Sequence, residues 1–291
     1  MTRGRKSNSK SPLDVTCSPI EHSRSAMITN WLRICAICAV LFVGAEPAKA
    51  AGERVALVIG NAAYAHMAAL KTPINDARLF ADKLRRLGFT DVLEQYDLDI
   101  AAMLSALETF AMRAEGADWA LIYYAGHGLE LAGRLHLVPT DAKLASANDL
   151  VRETITLGHL LAKPGRVKQL KLVILDMPRT NPFGLAGPPR LSPEQDLPPD
   201  QDVLIAFATQ PGNSLADSTG DNGVYALSLV KHMGVRGLNV HEVFIRVGQD
   251  VRKATNLKQV PWTTGTLSYA YYFVRMPLTP NRPSNLPKGK P

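Results

Sequence analysis

The sequence predicts an α/β fold in which a mostly parallel sheet is covered by helices on both faces. Two stretches carry that expectation, Leu121 to Leu129 (LIYYAGHGL) and Leu170 to Phe183 (LKLVILDMPRTNPF). Each is an apolar run, rich in β-branched or aromatic residues, that breaks abruptly into Gly, His, Asp, Pro or Arg. Strands buried on both faces lose the in-out alternation of half-exposed ones, so such runs read as central strands of a parallel sheet. The third observation is that strand-like and helix-like segments alternate along the chain, the pattern of a sheet sandwiched between helices. Ligands in open α/β sheets bind in the crevice outside the carboxyl ends of the strands. His127 and the segment Asp176 to Arg179 follow the two organising strands, so both are expected to face one crevice.

The elements follow in order. Arg54 to Gly60 (RVALVIG) reads as the first strand, stopped by the turn signal Gly60-Asn61. From Asp76, the apolar positions Ala77, Phe80, Ala81 and Leu84 recur at helical spacing, and Gly88 followed by Phe89 is a stop of the left-handed type. A strand is expected near Asp91 to Tyr96. Asp99 is placed to cap a second helix whose Ile100, Met103, Leu104, Leu107 and Phe110 form one stripe before Gly116. After the first organising strand, Arg134 to Pro139 (RLHLVP) predicts a short strand and Leu157 to Ala162 a helix. Val203 to Ala208 follows as another buried strand. Helices fit Val224 to Met233 and Val240 to Ala254, the latter opened by Asn239 with Glu242 three residues on, a capping-box pattern. Leu267 to Val274 is expected to be the last strand.

The domain organisation is read from composition. Residues 51–276 form the globular part, in which 51–184 and 201–276 flank a Pro-rich connector at 185–200, and 277–291 is a Pro, Asn, Lys and Gly tail expected to be disordered. Residues 1–50 have the parts of an export signal: basic residues, an apolar stretch from Ile34 to Ala45, and Ala48-Lys49-Ala50 as a small-x-small cleavage site. Met27 would give a more usual start, with Arg33 as its charge. Cleavage after Ala50 would leave a periplasmic or secreted protein without stable membrane insertion. An uncleaved anchor helix is the alternative.

The formal charge of +7 sits largely outside the body of the chain: residues 1–50 carry seven Lys/Arg against three Asp/Glu, and Arg282, Lys288 and Lys290 lie in the tail. The near-neutral remainder gives no reason to expect a nucleic-acid partner. All three cysteines, Cys17, Cys35 and Cys38, precede the expected cleavage point. The exported chain would have no disulfide, no thiolate metal site and no cysteine nucleophile. The histidines show no zinc spacing, and there is no GxSxG elbow or phosphate-binding Gly-rich loop. Asp217 and Asp221, with Asp196, Asp200 and Asp202, match no calcium loop and read as solvated acids. No cofactor or metal is called for.

Several stretches, in order from about residue 53 to 274, resemble the caspase-like cysteine peptidases and in particular bacterial metacaspase-type members: VALVIGNAAY, PINDA, LGF, YYAGHGLELAG, LVPTDA, LDMPRTNPF, ATQPG and QVPW. The resemblance implies the caspase-like α/β/α three-layer sandwich with a six-stranded, mostly parallel sheet. It also implies a Cys/His dyad. The family's His falls at His127, and its Cys, two residues after the Asp of a DxCR turn, falls at Pro178 of Asp176-Met177-Pro178-Arg179. Proline has no nucleophile and no backbone NH. In the family the oxyanion is held by the NH of the Cys and that of the Gly after the His, here Gly128, so one donor of that pair is lost too. Losing one such donor costs about 3 to 4 kcal/mol in comparable hydrolases.

The resemblance further implies that Asp76 and Asp176 line a primary specificity pocket for Arg or Lys. Two carboxylates can seat a guanidinium through charge-assisted, bidentate contacts. Alternatively, Asp76 caps its helix and Asp176 braces the turn. The leading expectation is an exported pseudopeptidase that binds basic peptide or protein segments at His127, Asp76 and Asp176. An active endopeptidase with an unrecognised nucleophile is the second reading, and a scaffold that binds through its connector or tail is the third.

Overall fold

In the computed structural model, the described residues are 52–131, 133–180, 201–216 and 220–276. The elements run in chain order as β1 (Arg54–Gly60), α1 (Pro73–Arg86), β2 (Asp91–Tyr96), α2 (Ile100–Ala114), β3 (Trp119–Ala125), β4 (Gly128–Leu131) and β5 (Arg134–Leu137). They continue as α3 (Leu150–Glu153), β6 (Ile155–Thr156), α4 (Leu157–Ala162), β7 (Leu170–Asp176), β8 (Asp202–Phe207), α5 (Val224–His232), α6 (Val240–Ala254) and β9 (Trp262–Thr266). Residues 1–50, the connector at 185–200 and the tail at 277–291, on which several sequence expectations fall, lie outside the described residues. No helix among the described residues is long and apolar enough to cross a membrane.

Six strands form one sheet in the order β2-β1-β3-β7-β8-β9. All neighbours are parallel except β9, which runs antiparallel to β8. Side chains alternate between the two faces. In β1, Ala56 and Val58 join the core against α1, α5 and α6. Val55, Leu57 and Ile59 of the same strand join the core against α2 and α4. Because both faces are covered, β3 and β7 are buried at every position, which is why their sequences read as unbroken apolar runs.

The helices form where their stripes and caps say they should. α1 buries Ala77, Phe80, Ala81 and Leu84, and begins three residues earlier than its apolar period because Pro73 fits the first turn. The Asp99 carboxylate accepts the Ala102 NH at 2.7 Å to cap α2. At α6, Asn239 accepts the Glu242 NH and the Glu242 carboxylate accepts the Asn239 NH, both at 2.9 Å, so two otherwise unpaired amides are satisfied reciprocally.

Two features depart from the sequence reading. Strand–helix alternation is interrupted by a small antiparallel sheet, β4-β5-β6, set beside the main one. The last strand is Trp262–Thr266 and not Leu267 to Val274. The aromatic segment does another job: the rings of Tyr271 and Phe273 meet Trp119 edge-on at 5.8 and 5.5 Å. The Arg54 guanidinium lies 4.5 Å from the Trp119 ring and donates to the carbonyl oxygens of Phe273 and Tyr272. Aromatic content here reflects burial at the end of a core, and the strand pairing goes to the Thr-rich run before it.

Candidate functional site

β3 and β7 are paired in register, with Ala125 opposite Asp176. His127 and Pro178 each lie two residues beyond that last pair, so the ladder brings the two loop starts to the same level. Both line one cavity of about 420 Å³ at the carboxyl end of the sheet, together with Asp76, Asp176, Thr180 and Tyr225. Four of the five residues singled out from the sequence therefore meet in one place. Gly128 is the exception: it is buried at the start of β4 and is not among the lining residues. A side chain there would collide with the Met177 sulfur, so the close approach of β4 to the β7 turn requires glycine.

Strand parity decides which way the turn residues point. Leu172 and Ile174 face the core under α1 and α5, whereas Val173, Leu175 and Met177 face the core under α2 and α4. Asp176 falls on the first side, where its Oδ2 accepts the Tyr123 hydroxyl at 3.1 Å. Tyr123 in turn stacks on Phe80 of α1 at 4.4 Å. Met177, on the second side, is packed and 1% exposed.

His127 is held from three directions. Its backbone NH donates to the Tyr64 hydroxyl at 2.7 Å, and the Tyr64 ring meets the imidazole edge-on at 4.5 Å. The Tyr124 hydroxyl lies 2.7 Å from the His127 carbonyl oxygen and 2.9 Å from that of Val138. The imidazole Nε2 is 2.8 Å from the Ala68 carbonyl oxygen. A carbonyl only accepts, so this contact places the ring proton on Nε2 and leaves Nδ1 as the acceptor in the neutral form.

The two carboxylates are buried, Asp76 at 2% and Asp176 at 6% exposure. Asp76 sits in the first turn of α1, but its Oδ1 accepts from Asn222 Nδ2 at 2.9 Å and from the Gly223 NH at 2.8 Å. Gly223 is the N-cap of α5, so Asp76 ties the start of α5 to α1 and does not cap its own helix through these contacts. Burial pushes the Asp76 carboxyl upward. Burial, and after it the neighbouring Asp76, pushes Asp176 up to about 8. Near neutral pH the pair therefore retains a proton, because two like charges at a desolvated site oppose joint ionisation.

Arg179, next to Pro178, is the largest fully buried side chain. Its guanidinium reaches Glu130 Oε2 through Nη2 at 2.8 Å and Nε at 3.1 Å, and lies 4.4 Å from the Phe207 ring and 5.4 Å from that of Trp262. Its backbone exchanges hydrogen bonds with the next loop, the NH donating to the Asn213 oxygen at 3.0 Å and the carbonyl accepting from Gly212 at 2.9 Å. Gln259 anchors the far end of that loop, accepting the Ala216 NH at 3.1 Å and donating to the Ala208 oxygen at 3.0 Å.

Tyr64, Tyr225 and Gln259 escaped the sequence reading as site residues. Tyr64 and Gln259 had a signal, since Tyr64 closes the VALVIGNAAY stretch and Gln259 opens QVPW; Tyr225 lies at an ordinary helix position. Among the described residues no three His, Cys, Asp or Glu side chains gather to hold a metal ion. Asp202 is engaged with Ser268 and Tyr271.

Comparison with known proteins agrees with this fold. Residues 53–272 match the family described as the caspase domain. A 92-residue segment is 38% identical to the mucosa-associated lymphoid tissue lymphoma translocation protein 1 of Homo sapiens and to its Mus musculus homolog. That segment is 32% of this chain and 11% of each relative, so the match spans about a tenth of their length. The crystal structure of caspase-1 from Spodoptera frugiperda superposes with a TM-score of 0.58 at 19% identity, over 77% of this chain and 91% of that one, a likeness of fold.

Proposed function

The chain belongs to the caspase domain family, and we propose that it is an exported, metacaspase-type member that has lost peptidase chemistry and binds Arg- or Lys-containing segments of a peptide or partner protein. One observation carries this reading: Pro178 occupies the wall of the cavity that His127 also lines, and Asp76 and Asp176 line the same cavity. At that wall a cysteine peptidase needs a thiolate and, for the tetrahedral intermediate, an amide hydrogen. A proline ring supplies neither.

The cation seat is supported separately. Burial, and after it the neighbouring Asp76, raises the Asp176 carboxyl, so that the acid pair retains a proton. A guanidinium entering the cavity would favour the ionised carboxylate and displace that proton, exchanging a solitary buried acid for a paired one. His127, in this reading, shapes the entrance and lacks a nucleophile to activate. Export rests on the apolar and small-x-small pattern of residues 34–50, and a mature amino terminus at Ala51 would check it.

The full chain should not cleave reporter peptides ending in Arg or Lys, and should bind the corresponding non-cleavable peptides. Asp76→Ala with Asp176→Ala should abolish that binding; unchanged affinity would favour the scaffold reading. Cleavage by the wild type that disappears in His127→Ala would overturn the inactive reading. Pro178→Cys is the informative gain-of-function variant. Met177 points into the opposite core and should be left in place, since truncating it would open a cavity costing about 2 to 5 kcal/mol.

A further inference from the structure

The cavity carries a further buried polar group. Tyr225, in the first turn of α5, is 1% exposed, and its hydroxyl has no hydrogen-bond partner among the described residues. A buried hydroxyl without a partner calls for an explanation. Packing accounts for the ring, which is part of the core under α1, α5 and α6, but gives the hydroxyl no partner among the described residues. Tyr225 lines the cavity together with Asp76 and Asp176, and burial, with Asp176 after it, raises its phenol well above the ordinary range.

The other acceptors are partly used. Asp76 Oδ1 is taken by Asn222 and Gly223, and Asp176 Oδ2 by Tyr123. We propose that the Tyr225 hydroxyl is a third acceptor of the cation seat formed by Asp76 and Asp176, and that it makes the cavity select arginine over lysine. This deepens the binding role proposed above and rests on it.

Three acceptors supplied by α1, β7 and α5 suit a planar group with five N–H donors in a fixed fork, which satisfies several partners at once. An ammonium is a compact, strongly hydrated point charge. It would give up more hydration on entering a site this buried, and its charge is more easily lost there. A phenol is also the right chemistry for the third position. A third carboxylate would raise the acids beside it further, whereas a neutral oxygen accepts an N–H without adding like charge.

The test is calorimetric titration of the full chain with N-acetyl-arginine amide and N-acetyl-lysine amide, using wild type, Tyr225→Phe and the Asp76→Ala, Asp176→Ala double variant, with thermal unfolding of each. Wild type should prefer the arginine compound. Tyr225→Phe should lose about tenfold in arginine affinity, the scale of one hydrogen bond to a charged group, and keep its lysine affinity, so that the preference collapses. Its melting temperature should stay the same or rise, because an unsatisfied buried hydroxyl has been removed. Unchanged arginine affinity, equal losses for both compounds, or a fall in melting temperature would each overturn the assignment of Tyr225 and leave the carboxylate seat standing. Binding that survives in the double variant, or absence of binding by wild type, would sink the seat itself.

Discussion

Asp176→Asn removes the most perturbed acid of the cavity while keeping its shape and an oxygen to accept from Tyr123. In the folded chain Asp176 titrates at about 8, against about 3.9 for an unfolded aspartate. Between those values the folded state holds a proton that the unfolded state has released. The stability this group contributes is complete below about pH 4 and is lost as the pH rises toward 8, with a limiting slope of about 1.4 kcal/mol per pH unit. His136 acts in the opposite sense. Burial, with a smaller push from Arg134, lowers its imidazole to about 4. The unfolded chain therefore binds the extra proton, and stability rises with pH up to about 6.5. The two slopes oppose each other at acid pH and leave the interval from about 6.5 to about 8 to Asp176. Over that interval wild type should lose up to about 2 kcal/mol, and Asp176→Asn should lose distinctly less. Urea unfolding at the two ends of the interval, followed by tryptophan fluorescence, measures the difference as a shift in midpoint at constant m. Equal losses in the two proteins would refute the claim that Asp176 is protonated in the folded chain.

Two further outcomes test the scaffolding around the cavity. Glu130→Ala should cost about 3 to 5 kcal/mol in chemical denaturation, because it strands the buried Arg179 guanidinium, and Glu130→Leu combined with Arg179→Met should recover most of the loss; a cost within about 1 kcal/mol for the single variant would show the pair to be solvated. Tyr64→Phe should remove the acceptor of the His127 NH at a cost of about 1 to 3 kcal/mol, and the His127 imidazole resonances should broaden or shift by NMR; identical spectra would mean that Tyr64 does not hold the ring.

The sheet was legible where burial dictates composition. β1, β3 and β7 announce themselves because strands covered on both faces have no room for polar alternation, and the capping box of α6 appears in the sequence as Asn239 and Glu242. The misread final strand shows the limit of that logic. Tyr271 and Phe273 satisfy the propensity for strand but are buried by edge contacts to Trp119, while Trp262–Thr266, with its exposed threonine and glycine, takes the pairing with β8. β4 and β6 were too short for any periodicity to register. At the site, the motif residues His127, Pro178, Asp76 and Asp176 could be placed because turn residues follow directly on the strands or head a helix. Tyr225 could not, since only the folded chain brings α5 to the mouth of β7.

The cavity is assembled from two lengths of polypeptide. His127, Asp76, Asp176 and Pro178 precede residue 181, and Leu215, Tyr225 and Gln259 follow residue 200. Between the two lengths, β7 and β8 lie side by side with six residues in register, Leu170 to Leu175 against Asp202 to Phe207. Covalent continuity is thus not what aligns the halves; a ladder and two shared cores do that. Two co-expressed fragments divided within residues 181–200 would be expected to complement each other and migrate as one particle in native gels, which makes this molecule a natural substrate for split-protein design.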